Sequence, residues 1–166
     1  FYFRLPGILR YRLMRLYHEK FIFKNTLTKE EVFTSIWKNN YWGSDESRSG
    51  PGATLVQTKI LRENAPKMLH KFKIESIFDA PCGDMNWMQH ILKDGGFKYL
   101  GGDIVQEIIE KNKKKLNLKN IRFTKFDITS DIFPKADIWI CRAVLYHLSY
   151  KDILMALERF VESNIK

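Results

Sequence analysis

The chain has 166 residues, 45% of them hydrophobic and 28% charged, with four Trp, seven Tyr and twelve Phe to fill a core. That is enough for one compact domain and excludes collagen-like, disordered and small disulfide-framework classes. The net charge of +9 leaves nucleic acid, an anionic membrane or an anionic small substrate open as partners.

The charge is unevenly placed. Residues 1–30 and residues 106–125 each carry seven basic and two acidic side chains, and the remainder is close to neutral. Cys82 and Cys141 are too few and too far apart for a CxxC site, and are expected to be thiols of a cytoplasmic protein. No apolar run approaches the ~20 residues that span a bilayer, no signal-peptide pattern is visible, and no metal site is expected.

Taken in chain order, the first third has helical rather than strand periodicity. From Ile8 to Phe23 apolar residues recur every three or four positions (Leu9, Leu13, Leu16, Tyr17) with Arg10, Arg12 and Arg15 between them. A second helix is predicted at Thr28–Asn39, where Thr28 and Glu31 have capping-box spacing and Val32, Phe33, Ile36 and Trp37 form the apolar stripe. Tyr41–Gly52 holds three Gly, three Ser and one Pro and reads as a loop. A third helix is expected over Ala53–Leu69, with Pro66 disturbing its last turn.

From Ile74 the rhythm changes. Short apolar runs at Ser76–Ala80, Tyr99–Gly101, Ile121–Lys125 and Ile138–Cys141 read as strands, alternating with helices at Asn86–Lys93, Gln106–Lys115 and Tyr150–Glu162. Strands separated by helices at intervals of about 20 residues signal βα units and a parallel sheet covered by helices. In such sheets ligands bind beyond the carboxyl ends of the strands.

Each of those ends carries chemistry. The first is Asp79-Ala80-Pro81-Cys82-Gly83-Asp84, where Gly83 lets backbone approach a ligand and amides at the next helix start face it. The second is Gly101-Gly102-Asp103-Ile104, whose carboxylate can accept from vicinal ribose hydroxyls or simply cap a helix. The third, Phe126-Asp127-Ile128, places a carboxylate where it can accept an adenine amine, or serve as a turn residue. The fourth runs into Cys141-Arg142-Ala143-Val144-Leu145-Tyr146-His147. A dinucleotide enzyme would carry G-x-G-x-x-G to seat a pyrophosphate. Here the first turn has only Gly83, with Asp84 beside it to repel phosphate, so the expected ligand bears adenosine without phosphates.

These residues resemble the class I S-adenosylmethionine-dependent methyltransferases. Asp79–Asp84 looks like their first motif, Asp103 their ribose-binding acid, Asp127 the acidic position near adenine, and Cys141–Leu148 the stretch after the fourth strand. The chain is similar to a bacterial branch with P-C-G-D-x-x-W-M in the first motif, here Pro81–Met88, preceded by S-G-x-G, here Ser49–Gly52. The similarity covers roughly residues 36–163 and departs from the usual Gly-rich motif at Pro81 and Met85. It implies a Rossmann-like α/β fold of which only the first part of the parallel sheet is expected here, without the C-terminal strands. Residues 1–52 are then an N-terminal helical extension and loop, and residues 53–166 a partial cofactor-binding domain.

The resemblance also implies roles. S-adenosylmethionine is the expected cofactor, held by Asp79, Pro81, Gly83, Asp103, Ile104, Asp127, Ile128 and Arg142. His147, whose unperturbed pKa is about 6.5, is the first candidate base and Asp84 the second. Trp42, Trp87 and Tyr146 are expected to wall an acceptor pocket, or else to pack the core, and Arg48, with Arg142, to hold an acidic acceptor. The expected reaction is methyl transfer to an oxygen or nitrogen of a small-molecule or glycan-precursor acceptor. A non-catalytic module docking through its basic N-terminal helix and a nucleic-acid methyltransferase are the alternatives. Nucleic acid is disfavoured because no strand-end loop interleaves basic and aromatic residues. The N-terminal helix is expected to pack on the domain or a second subunit in preference to a membrane surface.

Overall fold

The computed structural model describes residues 27–93, 96–163 and 165. The helix expected at Ile8–Phe23 lies outside the described residues. The elements are α1 (Lys29–Lys38), a 3₁₀ turn (Pro51–Ala53), α2 (Lys59–Lys71), β1 (Ser76–Asp79), α3 (Met88–Leu92), β2 (Lys98–Asp103), α4 (Gln106–Lys115), β3 (Ile121–Lys125), β4 (Ile138–Ile140), a second 3₁₀ turn (Leu145–His147) and α5 (Tyr150–Glu162).

All strand pairs are parallel, in the order β3-β2-β1-β4. The chain winds outward from β1 through β2 to β3, then crosses back to place β4 on the other side of β1. That reversal creates a crevice at the carboxyl ends of β1 and β4, the place where open α/β sheets bind ligands. Alternation along β1 sends Ile77 to one face and Phe78 to the other. Ile77 joins Leu69, Met88, Ile91, Tyr99, Ile109 and Phe123 in one core cluster, and Phe78 joins Ala80, Phe126, Phe133, Val144 and Ala156 in a second. A third, smaller cluster joins Trp37 of α1 to Val105 and Ile108.

Helix α1 begins where the sequence places it, with both halves of the Thr28–Glu31 capping box formed. Three other elements differ from expectation by more than a residue at one end or both. Helix α2 starts at Lys59 instead of Ala53, because the intervening backbone has outside partners: the Leu55 N–H donates to the Glu46 carboxylate at 2.6 Å, and Arg62 donates to the Leu55 carbonyl at 2.8 Å. It then continues through Pro66 to Lys71. Helix α3 starts at Met88 rather than Asn86, since Met85 has φ +60° and the Asn86 N–H turns to the Asp84 carboxylate at 3.2 Å. Strand β2 is longer than expected and carries the backbone up to Asp103, which puts that carboxylate at the strand end.

Among the described residues, no helix is long and apolar enough to cross a membrane. Both cysteines are free. Burial pushes the Cys82 thiol well above its ordinary range and that of Cys141 up to about 12, so neither supplies a thiolate.

Candidate functional site

A cavity of about 430 Å³ opens at the carboxyl ends of the strands, within the size range of small-ligand sites. Every site residue proposed from the sequence lies on its wall: Asp79, Pro81, Gly83, Asp84 and Trp87 from the turn after β1, Asp103 and Ile104 after β2, Asp127 and Ile128 after β3, Arg142, Tyr146 and His147 after β4, and Trp42 and Arg48 from the loop before α2.

The turn after β1 is fixed by neighbours on three sides. The Cys82 N–H donates to the Gly102 carbonyl at 2.8 Å, the Gly83 N–H to Asp103 Oδ2 at 3.1 Å, and Asn112 Nδ2 to the Gly83 carbonyl at 2.7 Å. Gly83 has φ +57°, and a Cβ there would collide with Ser49 Oγ, so only glycine fits. Asp103 accepts through both oxygens, from Gly83 and, at 3.0 Å, from the Val105 N–H. Each oxygen keeps a lone pair, so the carboxylate organises the turn and can still accept from a ligand.

Two of the carboxylates are buried. Asp79 is 2% exposed and Asp103 5%. Desolvation raises Asp79 to about 7, against an O–H donated by Tyr99 at 2.6 Å that favours the ionised form. Desolvation likewise raises Asp103 to about 6, opposed by its backbone donors. A cation or a set of hydroxyl donors entering the cavity would stabilise both as anions.

Asp84, the second candidate base, has its oxygens filled. It accepts from Ser47 Oγ at 2.9 Å, the Arg48 N–H at 2.9 Å, Ser49 Oγ at 3.2 Å and the Asn86 N–H, while its own N–H donates to Ser49 Oγ at 2.9 Å. The geometry is that of a latch between the Tyr41–Gly52 loop and the β1 turn. Asp127 is similarly engaged through Oδ1, which accepts the N–H and O–H of Thr129 at 2.9 and 2.7 Å. Its Oδ2 lies 3.9 Å from Lys29 Nζ.

The two arginines make local bonds rather than meeting on a shared partner. Arg48 donates to the carbonyls of Trp37 and Lys38 at 3.2 and 3.3 Å and so caps the end of α1. Arg142 donates to the Gly52 carbonyl at 2.8 Å and stands over the Trp87 ring, 5.4 Å from its centroid. Each guanidinium retains further N–H donors at the cavity wall. His147 is placed between aromatic rings, 4.5 Å from Trp42 and 4.1 Å from Tyr146. Trp87 is buried, whereas Tyr146 is 73% exposed and forms the outer lip.

Sequence reasoning missed Lys29, Ser47, Tyr99 and Asn112, and marked Ser49 only as the start of the S-G-x-G run. That run and the Ser-x-Ser spacing ahead of Gly50 were the signals for the latch. Asn112 sits in a run of lysines that reads as a solvated face, and the partners of Lys29 are about a hundred residues away.

No family model matches the sequence, and no curated relative matches it. Among solved structures the chain is similar to the methyltransferase domain of bacterial CtHen1-CN, at 21% identity over 66% of this chain and 61% of that one, with a TM-score of 0.57. It is also similar to human N-acetylserotonin methyltransferase, solved in complex with S-adenosylmethionine, at 21% identity over 86% of this chain and 40% of that one, with a TM-score of 0.52. The chain thus spans less than two thirds of either protein. The shared architecture is the Rossmann-like methyltransferase fold.

Proposed function

We propose that the chain binds S-adenosylmethionine and transfers its methyl group to an oxygen or nitrogen of a small acceptor, a glycan precursor among the candidates. The observation that carries this reading is Asp103, a buried carboxylate at the end of β2, pinned by the Gly83 and Val105 amides on the cavity wall. The residues present fit such a cofactor. Asp103 accepts from a ribose diol, and Ile104, Val105, Phe126 and Ile128 offer apolar walls for a purine. Asp79 favours the ammonium and sulfonium end, and Arg142 has donors for a carboxylate. Asp79, Asp84 and Asp103 together disfavour a pyrophosphate.

When bound, the cofactor would supply an electrophilic methyl carbon with a thioether as its leaving group. The protein's part is orientation and electrostatics. His147, held by the Trp42 and Tyr146 rings at the mouth, takes the proton released by the acceptor. Asp84 holds the acceptor-side loop onto the cofactor-side turn.

A nucleic-acid acceptor is not favoured. Two of the four lysines of α4 are locally paired, Lys111 with Glu107 at 2.8 Å and Lys113 with Glu110 at 3.2 Å, and no strand-end loop interleaves basic and aromatic residues. Titration calorimetry with S-adenosylhomocysteine and NAD tests the reading. Micromolar binding of the first and none of the second is expected. Binding of NAD with no heat from the sulfur compound overturns it.

A further inference from the structure

Helix α1 stands apart from the two clusters that flank the sheet, yet it supplies Lys29, Phe33, Ile36 and Trp37 to the cavity wall. Among the described residues its apolar attachment is the satellite cluster of Trp37 with Val105 and Ile108, against which Phe33 and Ile104 pack, together with Val32 and Ile36, which are also buried. Its polar attachments among the described residues sit at its two ends. At the start, Lys29 Nζ donates to Asp152 Oδ1 at 2.9 Å and lies 3.9 Å from Asp127 Oδ2, and Lys125 meets Glu30 at 2.6 Å. At the finish, Arg48 holds the last carbonyls. Lys29 and its two carboxylates are 22–33% exposed, so solvent and salt reach them.

We propose that α1 is a strap closing the adenosine side of the cavity, and that Lys29 is the positioning residue that fastens it by bridging Asp127 after β3 to Asp152 in the first turn of α5. The proposal rests on the reading of the cavity as an S-adenosylmethionine site. A helix held by a few apolar side chains and solvent-reached ion pairs opens at lower free energy than the sheet beneath it. A ligand covered by that helix leaves only when it opens, so opening and ligand release share a step. Lys29 is the cation common to two carboxylates on different elements. Removing it takes the counter-ion from both at once and frees the first turn of α1, while the satellite cluster and Arg48 still hold the far end.

Hydrogen exchange on the full chain, paired with stopped-flow release of S-adenosylhomocysteine, tests this. In the wild type, amides of 29–38 are expected to exchange faster than those of β1 and β2, and faster still at high salt. Lys29→Ala is expected to raise exchange in 29–38 about three- to tenfold, the yield of an ion pair of this exposure, with β1 and β2 unmoved and the salt response flattened. Lys29→Arg is expected to restore the wild-type pattern. Bound S-adenosylhomocysteine should protect 29–38, and its release from Lys29→Ala should quicken by a similar factor. Unchanged exchange in Lys29→Ala, or an equal rise in β1 and β2, overturns the strap. Release from Lys29→Ala at the wild-type rate overturns it as well and leaves the cofactor reading standing. The exchange arm needs no ligand, so the expected exchange pattern over a cavity that takes no S-adenosylhomocysteine counts against the cofactor reading and the strap's retaining role together.

Discussion

The two sides of the cavity are built differently. On the side of β1 and β2, buried carboxylates are held by fixed donors: Asp103 by the Gly83 and Val105 amides and Asp79 by the Tyr99 hydroxyl, with Asn112 bracing the turn after β1. On the side of β4 and the Tyr41–Gly52 loop, rings meet rings, with His147 between Trp42 and Tyr146 and much of Tyr146 in solvent. The first kind of site is set by the strand ends and has little freedom to change. The second is set by loops, whose residues can vary without disturbing the sheet. A common ligand held by the rigid side and a particular acceptor met by the loop side is the division of labour this implies.

The largest expected effect lies on the loop side. His147→Ala should lower turnover by roughly 10²–10⁴-fold while S-adenosylhomocysteine still binds, and the acid limb of the pH–rate profile should disappear. Steady-state kinetics with His147→Asn sharpens the point, because activity and pH limb retained by that variant would make the ring a wall rather than a base.

Asp84 joins the two sides, so its loss should be felt on both. Asp84→Ala strands the buried Ser47 hydroxyl and the Arg48 N–H, which should cost about 2–4 kcal/mol of stability. Thermal unfolding and calorimetry would show a lower Tm together with weaker S-adenosylhomocysteine binding. Retained stability would mean that the loop has other anchors.

Asp103→Ala acts on the rigid side alone. It should weaken S-adenosylhomocysteine binding by about 1–3 kcal/mol, with some loss of stability because the Gly83 and Val105 amides lose their acceptor. Unchanged affinity by calorimetry would reduce Asp103 to a brace for the turn.

The smallest effect is a pH signature of burial. Asp79, raised to about 7, binds its proton more tightly in the folded chain than in the unfolded one. Its contribution to the stability of the ligand-free protein is therefore greatest in acid and falls away as pH rises through about 7. Roughly 1 kcal/mol should be gained between pH 8 and 6, and Asp79→Asn should flatten that slope in thermal melts. Cation binding favours the ionised form, so affinity for S-adenosylmethionine should move the opposite way and rise over the same interval.

What could be read from the sequence follows the range of the interactions. Strand β2, paired to strands some twenty residues away on each side, runs beyond its expected ends, whereas the Thr28–Glu31 cap and helix α4 depend on neighbours within a few positions and fall where local pattern places them. The order of acids at successive strand ends was legible for the same reason. Asp84 was not, because a carboxylate looks alike in sequence whether it is free to act as a base or filled by donors 35–37 residues away. Lys29 was hidden further still, its bond to Asp152 spanning 123 positions. The start of α2 was misplaced because Glu46 and Arg62 capture backbone groups that a helix would have paired.

The most direct measurement is a crystal structure of the chain with S-adenosylhomocysteine. The ribose diol is expected on Asp103, the purine between Ile104 and Ile128 beneath α1, and the sulfur directed toward the His147 side of the cavity. A ligand seated elsewhere, with the Asp103 oxygens bonded only to Gly83 and Val105, would contradict this placement.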